Sequence, residues 1–193
     1  DRGGAAGVPL NQLTRHTLIA GTTGSGKTTT CFYLLSQLWG QGIPFLVIEP
    51  KIEYRTLLDS PIGKDIQVFT LGDETVSPFR LNPLELLPGV RVEAHISALR
   101  TCLEAALPMF GILPSLIEES LHNIYQEKGW SLTDKAKANE ERLMPTLGEL
   151  YFEIIRVVEE RKYSEKTEQD LKAASAGRIA SLLWGSKGRM INT

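Results

Sequence analysis

The eight residues Gly21-Thr22-Thr23-Gly24-Ser25-Gly26-Lys27-Thr28 constrain this chain more than any other stretch. They fit G-x-x-x-x-G-K-[ST] at every fixed position, between a short apolar run, Leu18-Ile19-Ala20, and a segment of helical period. Glycines at these places let successive backbone N–H groups turn inward, forming an anion nest at a helix N-terminus. Lys27 then serves as a point charge for β- and γ-phosphates. The Thr28 hydroxyl becomes one ligand of the Mg²⁺ that bridges them. Thr22, Thr23, Ser25 and Thr29 complete the expected phosphate-binding set. The loop reads only a triphosphate. Guanine-specific proteins usually add an Asn-Lys-x-Asp segment, which is absent here, so ATP is the expected nucleotide.

The surrounding pattern predicts an α/β unit. Cys31, Leu35 and Leu38 share one helical face, widened by Phe32, Leu34 and Trp39, and Gly40 or Gly42 provides a left-handed C-cap. The run from Ile43 to Ile48 reads as a strand buried on both faces, closed by Glu49-Pro50. A short helix around Glu53 to Leu58 leads to a third strand, Ile66 to Leu71. Strand, glycine loop, helix, strand, short helix, strand is the order of a parallel sheet with crossover connections.

Beyond a connector punctuated by Pro78, Pro83, Pro88 and Gly89, the period becomes helical almost to the end. Val92, Ile96, Leu99 and Leu103 mark one helix, and Ile117, Leu121, Ile124 and Tyr125 a second. Leu147, Leu150, Tyr151, Ile154 and Val158 mark a third, and Leu171, Ser175, Ile179, Leu182 and Leu183 a fourth. Capping boxes are expected at Ser115 with Glu118 and at Thr146 with Glu149, each preceded by Pro. Ser131 to Arg142 reads as an exposed linker. The expected division is an N-terminal loop over 1–13, a P-loop α/β portion over 14–85, helices over 90–185, and the start of a further core segment over 186–193.

Composition sets the remaining bounds. There are 193 residues, with 21 Lys and Arg against 23 Asp and Glu, a formal charge of −2. That balance excludes nucleic-acid binding by bulk charge alone. No apolar run is long enough to span a bilayer, and the first residues lack a signal-peptide pattern. Cys31 and Cys102 sit in apolar-periodic segments, as expected of reduced thiols in a cytoplasmic protein. His16, His95 and His122 have no metal-binding companions at useful spacing.

The segment Glu49-Pro50-Lys51-Ile52-Glu53-Tyr54-Arg55, placed after the second strand, resembles its counterpart in the HerA–FtsK superfamily of hexameric translocases. Pro78-Phe79-Arg80-Leu81-Asn82-Pro83-Leu84-Glu85 is similar to the connector before the helical insertion of HerA-like ATPases. The resemblance covers roughly residues 14–190. It implies a RecA-like parallel sheet with a C-terminal all-helical insertion. It also implies a homo-oligomeric ring, expected to be a hexamer, acting on DNA with a nuclease or effector partner. Position 49 is Glu where the family more often has Asp. Glu49 either positions the magnesium shell or attacking water, or merely ends the strand. Glu53-Tyr54-Arg55 either orients the site or forms a solvated helical turn. Members carry a later acidic strand ending in Asp-Glu. Nothing after Leu71 fits one, so the chain is expected to be the N-terminal portion of a larger motor domain.

Two late arginines, Arg178 and Arg189, are candidates for an arginine donated to a neighbouring subunit; the alternative is a helix-end or solvent-facing role. Lys162, Lys166, Lys172, Lys187 and Arg189 form no single stripe, and aromatic residues are not interleaved with them. DNA therefore enters by resemblance alone. The rival readings are a conjugation or secretion ATPase that moves protein, and a nucleotide-gated assembly module with little hydrolysis.

Overall fold

The computed structural model describes residues 7–73 and 75–192. Residues 1–6 of the expected N-terminal loop, and Thr193 of the expected further segment, lie outside the described residues. The chain divides into two compact units, Asp1–Val68 and Phe69–Thr193.

In the first unit the apolar period after the glycine loop forms α1, Lys27–Gly40. Its end is a Schellman motif. Gly42, at φ 70°, donates its N–H to the Trp39 carbonyl at 2.9 Å, and Ile43 donates to the Leu38 carbonyl at 3.0 Å. Two 3₁₀ turns follow, Tyr54–Asp59 and Gly63–Asp65. The second is tied to the end of α1 by Trp39 Nε1, which donates to Asp65 Oδ2 at 2.8 Å.

The expected RecA-like parallel sheet is not present among the described residues. No strand ladder occurs among the described residues; the one isolated bridge joins Arg91 to Lys135, antiparallel, in the other unit. The run from Ile43 to Ile48 is non-helical and alternates strictly. Ile43, Phe45 and Val47 are half-buried, whereas Leu46 and Ile48 are each 86% exposed. Leu18, in the first apolar run, is 89% exposed, and Phe69 and Leu71 of the third run are also exposed. The period-2 pattern is therefore realised in burial. Pairing is a separate, non-local requirement. A strand exists only where a neighbour about 4.8 Å away takes its N–H and C=O groups, and these runs make no such ladder.

The second unit is helical: α2 Val92–Ala106, α3 Leu113–Glu127, α4 Leu147–Glu160, α5 Glu165–Leu183 and α6 Gly185–Ile191. Each predicted apolar stripe faces inward. Val92, Ile96, Leu99 and Leu103 of α2 meet Ile117, Leu121, Ile124 and Tyr125 of α3 and Leu147, Leu150 and Ile154 of α4 in one core. The connector contributes Leu84 and Leu86. Tyr125 donates its hydroxyl to the Leu84 carbonyl, and Asn82 Nδ2 donates to the Pro145 carbonyl at 2.8 Å. Buried Glu153 is satisfied by Arg156 at 2.7 Å and Asn123 at 2.6 Å, as a charge in a core must be. No helix among the described residues is long and apolar enough to cross a membrane.

One of the two expected capping boxes forms. Thr146 accepts from the Glu149 N–H at 3.2 Å, and Glu149 Oε2 accepts from the Thr146 N–H at 2.9 Å. Ser115 lies inside α3, which starts at Leu113 with Pro114 in its first turn, and its hydroxyl donates to the Ile112 carbonyl. Thr146→Ala should cost about 1 kcal/mol of stability, read as a lower denaturant midpoint with unchanged slope.

The polar stretch from Ser131 to Arg142 is anchored rather than free. The Val92 and Glu93 N–H groups at the start of α2 donate to the Asp134 and Leu132 carbonyls at 3.0 and 3.1 Å. Arg142 lies 3.6 Å over the Trp130 ring and pairs with Asp134 and Glu140.

Candidate functional site

The glycine loop adopts the backbone that its composition permits. Gly24 and Gly26 take φ of 81° and 86°, a left-handed region that side chains with a Cβ rarely enter. Gly26 is the N-cap of α1. No side chain caps the helix there, and no acidic residue occupies its first turn. Those N–H groups and the positive end of the helix dipole suit an anion. A Cβ at Gly21 would meet the Ser25 hydroxyl, so a larger residue there requires the Ser25 side chain to turn aside. Lys27 Nζ donates to the Gly21 carbonyl at 2.9 Å and the Thr22 carbonyl at 2.7 Å, which holds the ammonium against the loop.

A carboxylate reaches this loop, and it belongs to Glu53. Thr28 Oγ1 donates to Glu53 Oε2 at 3.2 Å. Glu49 instead closes a turn on its own chain, with Oε1 accepting the Lys51 N–H at 2.5 Å. Between them Ile52 takes φ of 63°. A β-branched residue there stores about 1–3 kcal/mol of strain, and the turn it makes delivers Glu53. Tyr54 then docks on α1. Its ring stands edge-on to Phe32, with centroids 4.9 Å apart and planes at 83°. A hydrogen bond with Cys31, then burial, then the charges of Glu49 and Glu53 push its hydroxyl up to about 12.

Thr28 and Glu53 place two hard oxygen donors side by side, the chemistry that Mg²⁺ prefers. No group of three or more His, Cys, Asp or Glu among the described residues is arranged to hold a metal. The donor set thus fits a cation held largely by phosphate and water, with few protein ligands.

Comparison with known families is decisive. The profile described as "Helicase HerA, central domain" matches residues 5–192. The chain belongs to the HerA central-domain family. Among solved structures it is similar to one titled "Structure of VirB4 of Thermoanaerobacter pseudethanolicus", with a TM-score of 0.59 and 22% identity. The match covers 86% of this chain and 59% of that one, so the chain spans less than two thirds of the VirB4 chain. Comparison with curated proteins gives no match. Family and fold together make this a P-loop ATPase domain.

The remaining predicted residues of this HerA-family domain lie in the second unit. Arg178, on α5, donates from its guanidinium to the Pro108 and Ala174 carbonyls. Arg189, on α6, offers its carbonyl to Arg80 Nη1 at 2.8 Å. The docking of Tyr54 on Phe32 was not anticipated from the sequence. Its signal was present, because Thr28, Cys31 and Phe32 stand at i, i+3 and i+4 on one face of α1. The adjacent pair Glu53-Tyr54 meets that face.

Proposed function

We propose that this HerA-family domain is an ATP-hydrolysing motor driving DNA translocation or unwinding. It works as a ring, expected to be a hexamer, in the cytoplasm and beside a nuclease or effector partner. The observation that carries the reading is the Gly21–Thr28 loop, whose glycine geometry and uncapped α1 N-terminus suit a polyphosphate. The family description, which names a helicase, supports DNA as the cargo.

In this reading, the N–H groups from Gly21 to Thr29 bind the phosphates. Lys27 exchanges its two carbonyl partners for β- and γ-phosphate oxygens. Thr28 is the protein ligand of Mg²⁺, which when bound neutralises charge developing on the phosphates. Glu49 is the candidate to orient the attacking water. Arg178 and Arg189 are the candidate arginines for a neighbouring subunit.

A second reading, a motor that moves protein, draws support from charge. Many cations of the helical unit are matched within it: Arg156 by Glu127, Glu153 and Glu160, Arg161 by Glu119, Lys172 by Glu159 and Glu168, and Lys128 by Glu149. Paired cations offer less to a phosphate backbone. The test is steady-state ATP turnover with and without duplex DNA at low salt. The DNA motor predicts stimulation of about tenfold or more that fades as salt rises. Turnover indifferent to DNA would favour the protein-moving motor. Nucleotide binding without turnover would favour an assembly module.

A further inference from the structure

The hydroxyl of Thr28, the second residue of α1, donates across 25 residues of chain to Glu53. Thr30, one half-turn along α1, shows the default, with Oγ1 donating to the Gly26 carbonyl at 3.0 Å. Two features bring Glu53 into place: the left-handed Ile52 and the ring contact of Tyr54 with Phe32. We propose that Glu53 is the positioning residue for the magnesium site. It accepts the hydrogen bond of the Thr28 hydroxyl and so leaves that oxygen's lone pairs for the cation accompanying ATP. The inference rests on the ATPase reading above and assigns the role to Glu53, not to Glu49.

The chemistry is that of an outer-shell partner. A threonine hydroxyl has one proton and two lone pairs. With the proton committed to a carboxylate, the oxygen faces a cation purely as an acceptor. The carboxylate charge lying behind it adds further attraction. Removing such partners typically weakens metal binding by about 10–100-fold.

The test is a Mg²⁺ titration of fluorescent ATP-analogue binding to the whole chain, with parallel measurements in EDTA. Glu53→Ala should raise the Mg²⁺ concentration for half-maximal binding by about 10–100-fold, with a much smaller change in EDTA. Glu53→Gln keeps a carbonyl acceptor and loses the charge, so its shift should be intermediate. Thr28→Ala should also raise the Mg²⁺ requirement, and adding Glu53→Ala to it should change little more, since the two act as one unit. A merely structural contribution would weaken binding equally with Mg²⁺ and with EDTA. That result, an unchanged midpoint in Glu53→Ala, additive effects in the double variant, or the shift appearing in Glu49→Ala instead would each overturn the proposal. Were Lys27→Ala to lose binding while Glu53→Ala kept the normal Mg²⁺ midpoint, the ATPase reading would stand and the role of Glu53 would fall. No binding by the unsubstituted chain would remove both.

Discussion

Lys27→Ala should abolish measurable ATP binding while leaving the fold in place. The ammonium now satisfies two exposed carbonyls, those of Gly21 and Thr22. Water can replace it at both, so folding loses little when the side chain is removed. Nucleotide binding loses far more, because the same ammonium is the one side-chain charge the loop brings to the phosphates. Two charge-assisted hydrogen bonds are together worth about 3–6 kcal/mol, or roughly 10²–10⁴ in Kd. Calorimetric titration with ATP reads the affinity, and far-UV circular dichroism reads the fold. ATP affinity unchanged in the variant would remove the loop from the binding site.

Ile154→Ala should have the largest effect on stability. Ile154 is wholly buried on α4, in the core that joins α2, α3 and α4 to the connector. Truncation removes three carbons from a site with no solvent to refill it, and the neighbouring helices close the void only in part. The expected loss is about 2–5 kcal/mol, which lowers the thermal midpoint by roughly 4–20 °C. Phe152→Ala, two residues away on the same helix, is the control. Its ring is 71% exposed, so the change should stay within about 0.5 kcal/mol. Similar losses for the two variants would mean that the inward face of α4 had been wrongly assigned.

What could be read from the sequence was mostly local. The helices follow from apolar residues at 3.6-residue spacing, and α2 through α5 bury the stripes that spacing marks. The loop was readable because each glycine answers a backbone need within a few residues. Thr146 and Glu149 form their box because both partners lie inside one turn.

The failures are non-local. Ile43 to Ile48 carries the alternating burial of a strand and is non-helical, yet a sheet depends on a second backbone that no local pattern specifies. Ser131 to Arg142 is charged enough to read as a free linker. Its carbonyls instead bond the first N–H groups of α2, and Arg142 covers the Trp130 ring. The meeting of Glu53 with Thr28 is likewise invisible to local pattern, because it depends on the reversed turn at Ile52 and the docking of Tyr54 on α1.

The most direct measurement is calorimetric titration of the purified chain with ATP and, separately, with adenosine, both in Mg²⁺. A phosphate cradle at Gly21–Thr28 predicts saturable binding of about one ATP per chain and no binding of adenosine at the same concentrations. Equal affinity for the two, or no binding of ATP, would contradict it.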